Sequence, residues 1–175
     1  MIDITKLTNK HLINYIIHHK IIDISELFYD ESSTSIKSYI THGNSKTLGD
    51  LSESKVLAKL IELGCNVLIP FGDNYRYDLV IEQNNNFTRI QVKTGRLSDG
   101  SITFSTVSIH RKNKKYIRNG YKNEIDYFII YCPELDKFYY IHVDDITERN
   151  SHVWRVFTPK NNQLKNIIPA KIYEF

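Results

Sequence analysis

Cysteine is scarce in this 175-residue sequence, which has only Cys65 and Cys132. Each adjoins an apolar, strand-like run, so the pair reads as reduced core thiols of a cytosolic protein rather than as a disulfide framework. No Cys/His cluster has zinc-site spacing. The seven histidines are scattered, with His18-His19 near the end of an amphipathic helix. No apolar run approaches the roughly 18 residues of a membrane-spanning helix, so no membrane partner is expected. The opening Met-Ile-Asp-Ile-Thr has neither a basic n-region nor an apolar h-region, so a signal peptide is not expected and a cytoplasmic location is. Internal repeats are absent, and low complexity amounts to a bias towards Asn, Ile, Lys and Tyr.

What is present is a globular composition, 41% hydrophobic and 12% aromatic, long enough for one well-buried domain and a small appendage. The net charge of +3 conceals a polarised chain. Residues 86–122 hold nine Lys or Arg against one acid, Asp99, whereas residues 124–148 hold seven acids against one base, Lys137. Local sign matters more than the sum for binding a phosphate backbone.

The chain is organised around Arg76-Tyr-Asp-Leu-Val-Ile and Arg89-Ile-Gln-Val-Lys-Thr-Gly. Both runs are β-rich, and Asn84-Asn85-Asn86 separates them as a hairpin turn would. Asp78 starts the first strand. Gln91 and Lys93 lie two apart on the second, so their side chains leave the same face. A carboxylate, an amide oxygen and an ammonium on one face are the groups a Mg²⁺-dependent phosphodiesterase needs. A polar, solvated face of an edge hairpin would show the same three residues.

Ahead of that hairpin, residues 1–46 suggest three short helices. Leu12, Ile13, Ile16 and Ile17 form one helical stripe, Asp23 an N-cap, and Ser32 to Ser35 a second capping signal before Ile36-Lys-Ser-Tyr-Ile. This is a helix-turn-helix layout, in which the last helix would present Ser33, Thr34, Lys37 and Ser38 to DNA. A helical cap packed on the rest of the chain fits the pattern as well. Asn44 to Thr47 reads as a linker into a nuclease-sized unit over residues 47–175. A long helix is expected from about Gly49 to Leu63, buried through Leu51, Val56, Leu57, Leu60 and Ile61 and stopped by Gly64. Glu53 near its start is either a charge suited to the helix dipole or a further metal-directed carboxylate.

Beyond the central hairpin, Asp99-Gly100 signals a tight turn into the strand Ser101 to Val107. Residues 108–124 carry His110, Arg111, Lys112, Lys114, Lys115, Arg118 and Lys122 without an acid before Glu124. They read as a loop or frayed helix suited to phosphate contacts. Asp126 to Cys132 is the most apolar run, expected as a central strand. Lys137 to Val143 and His152 to Phe157 read as two more.

The ordered set Glu53, Asp78, Gln91, Lys93 then gives a resemblance. Residues 48 to the C-terminus resemble PD-(D/E)xK endonucleases of the group I intron-associated, homing type. The stretches that carry it are Gly49-Asp-Leu-Ser-Glu-Ser-Lys-Val, Pro70-Phe-Gly-Asp-Asn-Tyr-Arg-Tyr-Asp-Leu, Gln91-Val-Lys-Thr-Gly-Arg-Leu and Glu124 to Asp136. Twelve residues separate Asp78 from Gln91, a normal motif spacing. Gln91 stands where the motif has Asp or Glu, a variant familiar in this branch. It removes one negative charge from the cage and keeps an oxygen ligand.

The resemblance implies an α+β, restriction-endonuclease-like fold, a mixed sheet flanked by helices with an αβββαβ core. It implies Mg²⁺, replaceable by Mn²⁺, held by Asp78, Gln91, the Val92 carbonyl and Glu53, with Lys93 beside the attacking water. Ser52, Arg76, Arg96 and His110 would touch the scissile phosphate or its neighbours. The implied activity is site-specific cleavage of double-stranded DNA by a homodimer or homotetramer, since two cuts need two chains. A Holliday-junction resolvase-like nuclease shares most of the motif. A non-catalytic DNA-binding regulator is the third reading, against which the retention of Glu53, Asp78 and Lys93 weighs.

Overall fold

The computed structural model describes residues 44–72, 74–146, 150–158 and 167–175. The expected helix-turn-helix over residues 1–46, Lys37 within it, therefore lies outside the described residues apart from its last three. Those three already belong to the next element. Helix α1 runs Ser45–Glu62, and Asn44 is its N-cap, its side chain accepting from the Lys46 N–H at 3.0 Å. The expected linker is thus the first helical turn, because an Asn cap satisfies an otherwise orphaned donor. At the other end Gly64, with φ +80°, stops the helix as expected.

The stripe that α1 buries is Leu48, Ser52, Val56 and Leu60. This face is rotated from the one hydrophobicity alone suggests: Ile61 is 58% exposed, while Ser52 is 1% exposed. Ser52 can sit inside because its hydroxyl is satisfied twice, by the Leu48 carbonyl at 2.9 Å and the Thr94 hydroxyl at 2.7 Å. A polar atom with partners is cheap to bury.

Five strands form the main sheet. They are β1 (Asn66–Leu68), β2 (Leu79–Gln83), β3 (Asn86–Thr94), β8 (Tyr127–Cys132) and β9 (Lys137–His142), in that spatial order. All pairs are antiparallel except β3 with β8. Asn84 and Asn85, at φ 53° and 61°, make the two-residue β2–β3 turn, the left-handed geometry that asparagine tolerates. Strand β1 is shorter and more exposed than the apolar run Asn66 to Phe71 suggests. It lies at the sheet edge, and Phe71 beyond it is 99% exposed.

The two faces of the sheet are covered differently. Helix α1 packs Val56 and Leu60 against Leu79, Ile90, Val92, Ile129 and Tyr131. On the opposite face, Phe128, Ile130, Tyr139 and Ile141 meet a second, three-stranded sheet. Its strands are β4 (Arg96–Ser98), β5 (Ser101–Ser105) and β10 (Ser151–Arg155), in the order β10-β5-β4. Trp154 is fully buried there, stacked on Tyr173 with ring centroids 4.5 Å apart. The remaining pair, β6 (Ser108–Lys112) and β7 (Lys115–Asn119), forms a separate two-stranded ribbon.

The fold is the expected α+β, restriction-endonuclease-like mixed sheet. Two finer expectations are corrected. No helix lies between β3 and β8; two hairpins, β4–β5 and β6–β7, occupy that stretch. The basic stretch 108–124 is neither loop nor helix through most of its length but the β6–β7 ribbon. The alternation Ile109, Arg111 against His110 has a period of two, which the density of charge obscured.

Gly95 is where the chain passes from one sheet to the other. Its N–H still donates to the Tyr131 carbonyl at 2.8 Å, and the next residue begins β4. A Cβ there would lie 2.7 Å from Ile102 Cγ2 and 2.8 Å from Ile130 Cγ2. Both isoleucines are fully buried, and β-branched side chains have little rotamer freedom to yield. Gly95→Ala is expected to destabilise the fold by about 1–3 kcal/mol, the usual cost of overpacking. Denaturant titration checks this, and an unchanged midpoint would show that the two layers separate freely.

Candidate active site

The site is built on the parallel strand β3. Gln91 and Lys93 share one face of it, and Asp78 is brought opposite by the β2–β3 ladder, which extends one residue past β2. There the Asp78 N–H donates to the Ile90 carbonyl at 2.8 Å. The Asp78 carboxylate then accepts from the Val92 N–H at 2.7 Å and, through the same Oδ2, from the Gln91 side-chain amide. That amide nitrogen also lies 3.3 Å from the Val92 carbonyl oxygen. One electropositive NH₂ group thus bridges a carboxylate oxygen and a main-chain carbonyl.

This bridge tests whether the residues fit a metal. Two oxygens converge on a single partially positive group, and a half-turn of the Gln91 amide would add a third oxygen to them. Hard oxygen donors of this kind suit Mg²⁺ or Mn²⁺, which keep several waters of their own. Among the described residues no three His, Cys, Asp or Glu are grouped to hold a metal. The donor set is therefore one carboxylate, one amide and one carbonyl, with Glu53 as a second carboxylate in electrostatic reach.

The charges report on one another. Burial raises the Asp78 pKa above the usual carboxylate value, against the pull of the Val92 N–H, the Lys93 charge and the Gln91 amide. Glu53, on α1, lies within electrostatic reach of Asp78 and Lys93. Its side chain is open to water on one side, yet partial burial raises its pKa, with the Asp78 and Asp50 charges adding and Lys93 opposing. A buried Asp78 carboxylate whose charge also disfavours ionisation of Glu53 makes a site that a cation would stabilise.

Lys93 is held by a residue that sequence reasoning did not single out. Its Nζ donates to the Tyr121 hydroxyl at 2.9 Å and lies 4.8 Å from the centre of that ring. Tyr121 is 5% exposed and packs edge-on against Phe128 at 5.2 Å. It follows the basic ribbon at no motif distance from Lys93, so only the tertiary contact reveals it.

The expected phosphate-contacting residues divide. Ser52 is removed from that role, since it is buried between α1 and β3. Arg76 is structural in large part. Its Nε pairs with Glu124, Nη1 reaches Ser108 Oγ and Nη2 the Gly120 carbonyl, both at 2.6 Å, and its Cζ lies 4.0 Å from the Tyr121 ring centre. Donors so occupied clamp the base of the β6–β7 ribbon rather than await a ligand. Arg96 is half-buried on β4. His110, Arg111, Lys114, Lys115 and Arg118 are all exposed on the ribbon. Lys37 and the Lys112 side chain are outside what the structure describes.

With this geometry in hand, the comparisons with known proteins are decisive. The family model described as PD-(D/E)XK endonuclease matches residues 43–175. The chain belongs to the PD-(D/E)XK endonuclease family. It is accordingly a DNA endonuclease, of a family whose members generally use divalent metal ions. Its fold is also that of a solved bacterial homing endonuclease, I-Ssp6803I, at a TM-score of 0.62 and 24% identity, covering 75% of this chain and 89% of the other. No curated protein matches the sequence. Among the described residues no helix is long and apolar enough to cross a membrane.

Proposed function

We propose that this PD-(D/E)XK endonuclease is a divalent-cation-dependent, site-specific enzyme of the homing type that cuts both strands of DNA as a homodimer or homotetramer. The observation that carries the reading is the convergence of Asp78, the Gln91 amide and the Val92 carbonyl beside Lys93. In this reading Asp78, Gln91 and Val92, helped by Glu53, hold Mg²⁺ or Mn²⁺. Bound there, the ion supplies Lewis-acid activation and charge neutralisation at the phosphate.

The chain's own residues supply the rest. Asp78 is fixed by the Val92 N–H, which holds its carboxylate in place whether or not the Gln91 amide turns. Tyr121 holds the Lys93 side chain beside the carboxylates, where as an ammonium it orients the attacking water or stabilises charge developing on the phosphorus oxygens, and as the neutral amine it would take that water's proton. The ribbon cations His110, Arg111, Lys112, Lys114, Lys115 and Arg118 provide the positive surface that draws in and holds the duplex. Each chain carries one such site, so a double-strand cut draws on two chains.

The test is cleavage of a supercoiled plasmid library with Mg²⁺, with Mn²⁺ and with chelator. Expected are linear products at a small set of sequences, and none with chelator. Cleavage in chelator would remove the metal requirement. Cutting of synthetic four-way junctions but not of linear duplex would replace the proposal with a junction-resolving activity. Binding without cleavage under every ion would make the chain a regulator.

A further inference from the structure

The β6–β7 ribbon is more than a string of positive charges, because its two faces differ. Directly paired residues share a face, and the register pairs Ile109 with Arg118 and Arg111 with Tyr116. The other face carries Ser108 with Asn119, His110 with Ile117, and Lys115. Arg76 grips that second face at its base, through the Ser108 hydroxyl at 2.6 Å. Ile117 on it is half-buried. The first face is therefore turned away from the Arg76 clamp, and all four of its side chains are exposed, Ile109 at 57% and Tyr116 at 70%.

That face combines two arginine forks with an isoleucine and a tyrosine open to water, apolar surface that a groove would cover. The turn adds a second feature. Asn113 and Lys114 have φ 51° and 62°, a two-residue turn whose second position favours glycine, yet a lysine occupies it. The turn thereby holds the Lys114 charge at the tip of the arm.

We infer that the face formed by Ile109, Arg111, Tyr116 and Arg118 enters the major groove of the target duplex and reads base edges. The inference rests on the reading of the chain as a nuclease of double-stranded DNA. The major groove admits a two-stranded β-ribbon. An arginine fork matches the paired acceptors of guanine, and apolar side chains match the thymine methyl. Five residues of strand are about 17 Å long. The Arg111–Tyr116 and Ile109–Arg118 pairs are about 6.7 Å apart along it, so the face spans roughly two or three base-pair steps of 3.4 Å. Lys114 and Lys115 at the tip lie beyond this face and meet phosphates, which carry no sequence information.

The experiment is selection of bound and cleaved sites from a randomised duplex library, using the full-length wild type, Arg111→Ala, Arg118→Ala and Lys114→Ala/Lys115→Ala. Each arginine variant is expected to relax preference by at least about fivefold at one or two adjacent base pairs per half-site, leaving the remaining positions unchanged. The lysine pair is expected to weaken binding to all sequences alike and to lower the salt slope by about two units. If the arginine variants instead weaken every sequence equally, or leave the site profile intact, the ribbon is a phosphate clamp only and the inference fails. If the wild type neither binds nor cuts duplex DNA, the functional proposal fails first, and the two failures are told apart.

Discussion

Lys93→Ala and Asp78→Asn are each expected to lower the single-turnover cleavage rate by about 10²–10⁴-fold or more, the range spanned by the loss of a positioned proton-transfer group or charge stabiliser. Affinity for DNA should stay within about tenfold, or about 1.4 kcal/mol, because neither side chain belongs to the ribbon footprint. Asparagine is the informative replacement at 78. Alanine would strand the Val92 N–H and the Gln91 amide without their shared acceptor and cost about 1–3 kcal/mol of stability besides. Tyr121→Phe grades the series, since it removes only the acceptor of the Lys93 ammonium and keeps the ring beneath it. Its rate should fall less than that of Lys93→Ala, with the melting temperature little changed. Full-rate cleavage by Lys93→Ala would sink the proposed active site outright.

Gln91→Glu should change the metal requirement and the stability together. In the absence of a cation, the Gln91 N–H bond to Asp78 would be replaced by two carboxylates facing each other in a mostly buried site. Losing a bond to a charged group and adding a like charge is expected to destabilise the fold by about 1–3 kcal/mol, several degrees in melting temperature. Divalent cation should recover most of that loss. At about 4 Å and an effective dielectric near 20, one unit charge on another is worth about 4 kcal/mol, and the ion carries two. Even a third of one such term moves binding tenfold, so half-maximal Mg²⁺ should fall by about tenfold or more. Thermal melting against Mg²⁺ reads this without any cleavage, and the rate titration reads it independently. Identical Mg²⁺ responses in the two forms would mean that Gln91 is not a ligand.

Much of this molecule is written locally in its sequence. The turns Asn84-Asn85 and Asp99-Gly100, the stop at Gly64 and the apolar run of β8 are near-neighbour effects: backbone freedom, short side-chain bonds and burial of a continuous run. The alternation along β3 put Gln91 and Lys93 on one face and Val92 on the other, because a pleated strand leaves no other choice. The ordered set Glu53, Asp78, Gln91 and Lys93, together with the stretches around them, carried the resemblance to the endonuclease family.

What the sequence could not fix were matters of partner and pairing. Ser52 looks like a polar surface residue until Thr94, 42 positions away, satisfies its hydroxyl and lets α1 rotate it inward. Arg76 looks like a phosphate ligand until Glu124, Ser108 and Gly120 surround it. The ribbon was hidden because charge density masks a period of two, and only the β6–β7 register shows which four side chains stand on its outer face. Tyr121 had no signal at all. Local propensity acts over a few residues, whereas the roles of Ser52, Arg76 and Tyr121 arise from contacts between segments 28 to 48 residues apart, which only the tertiary fold brings together.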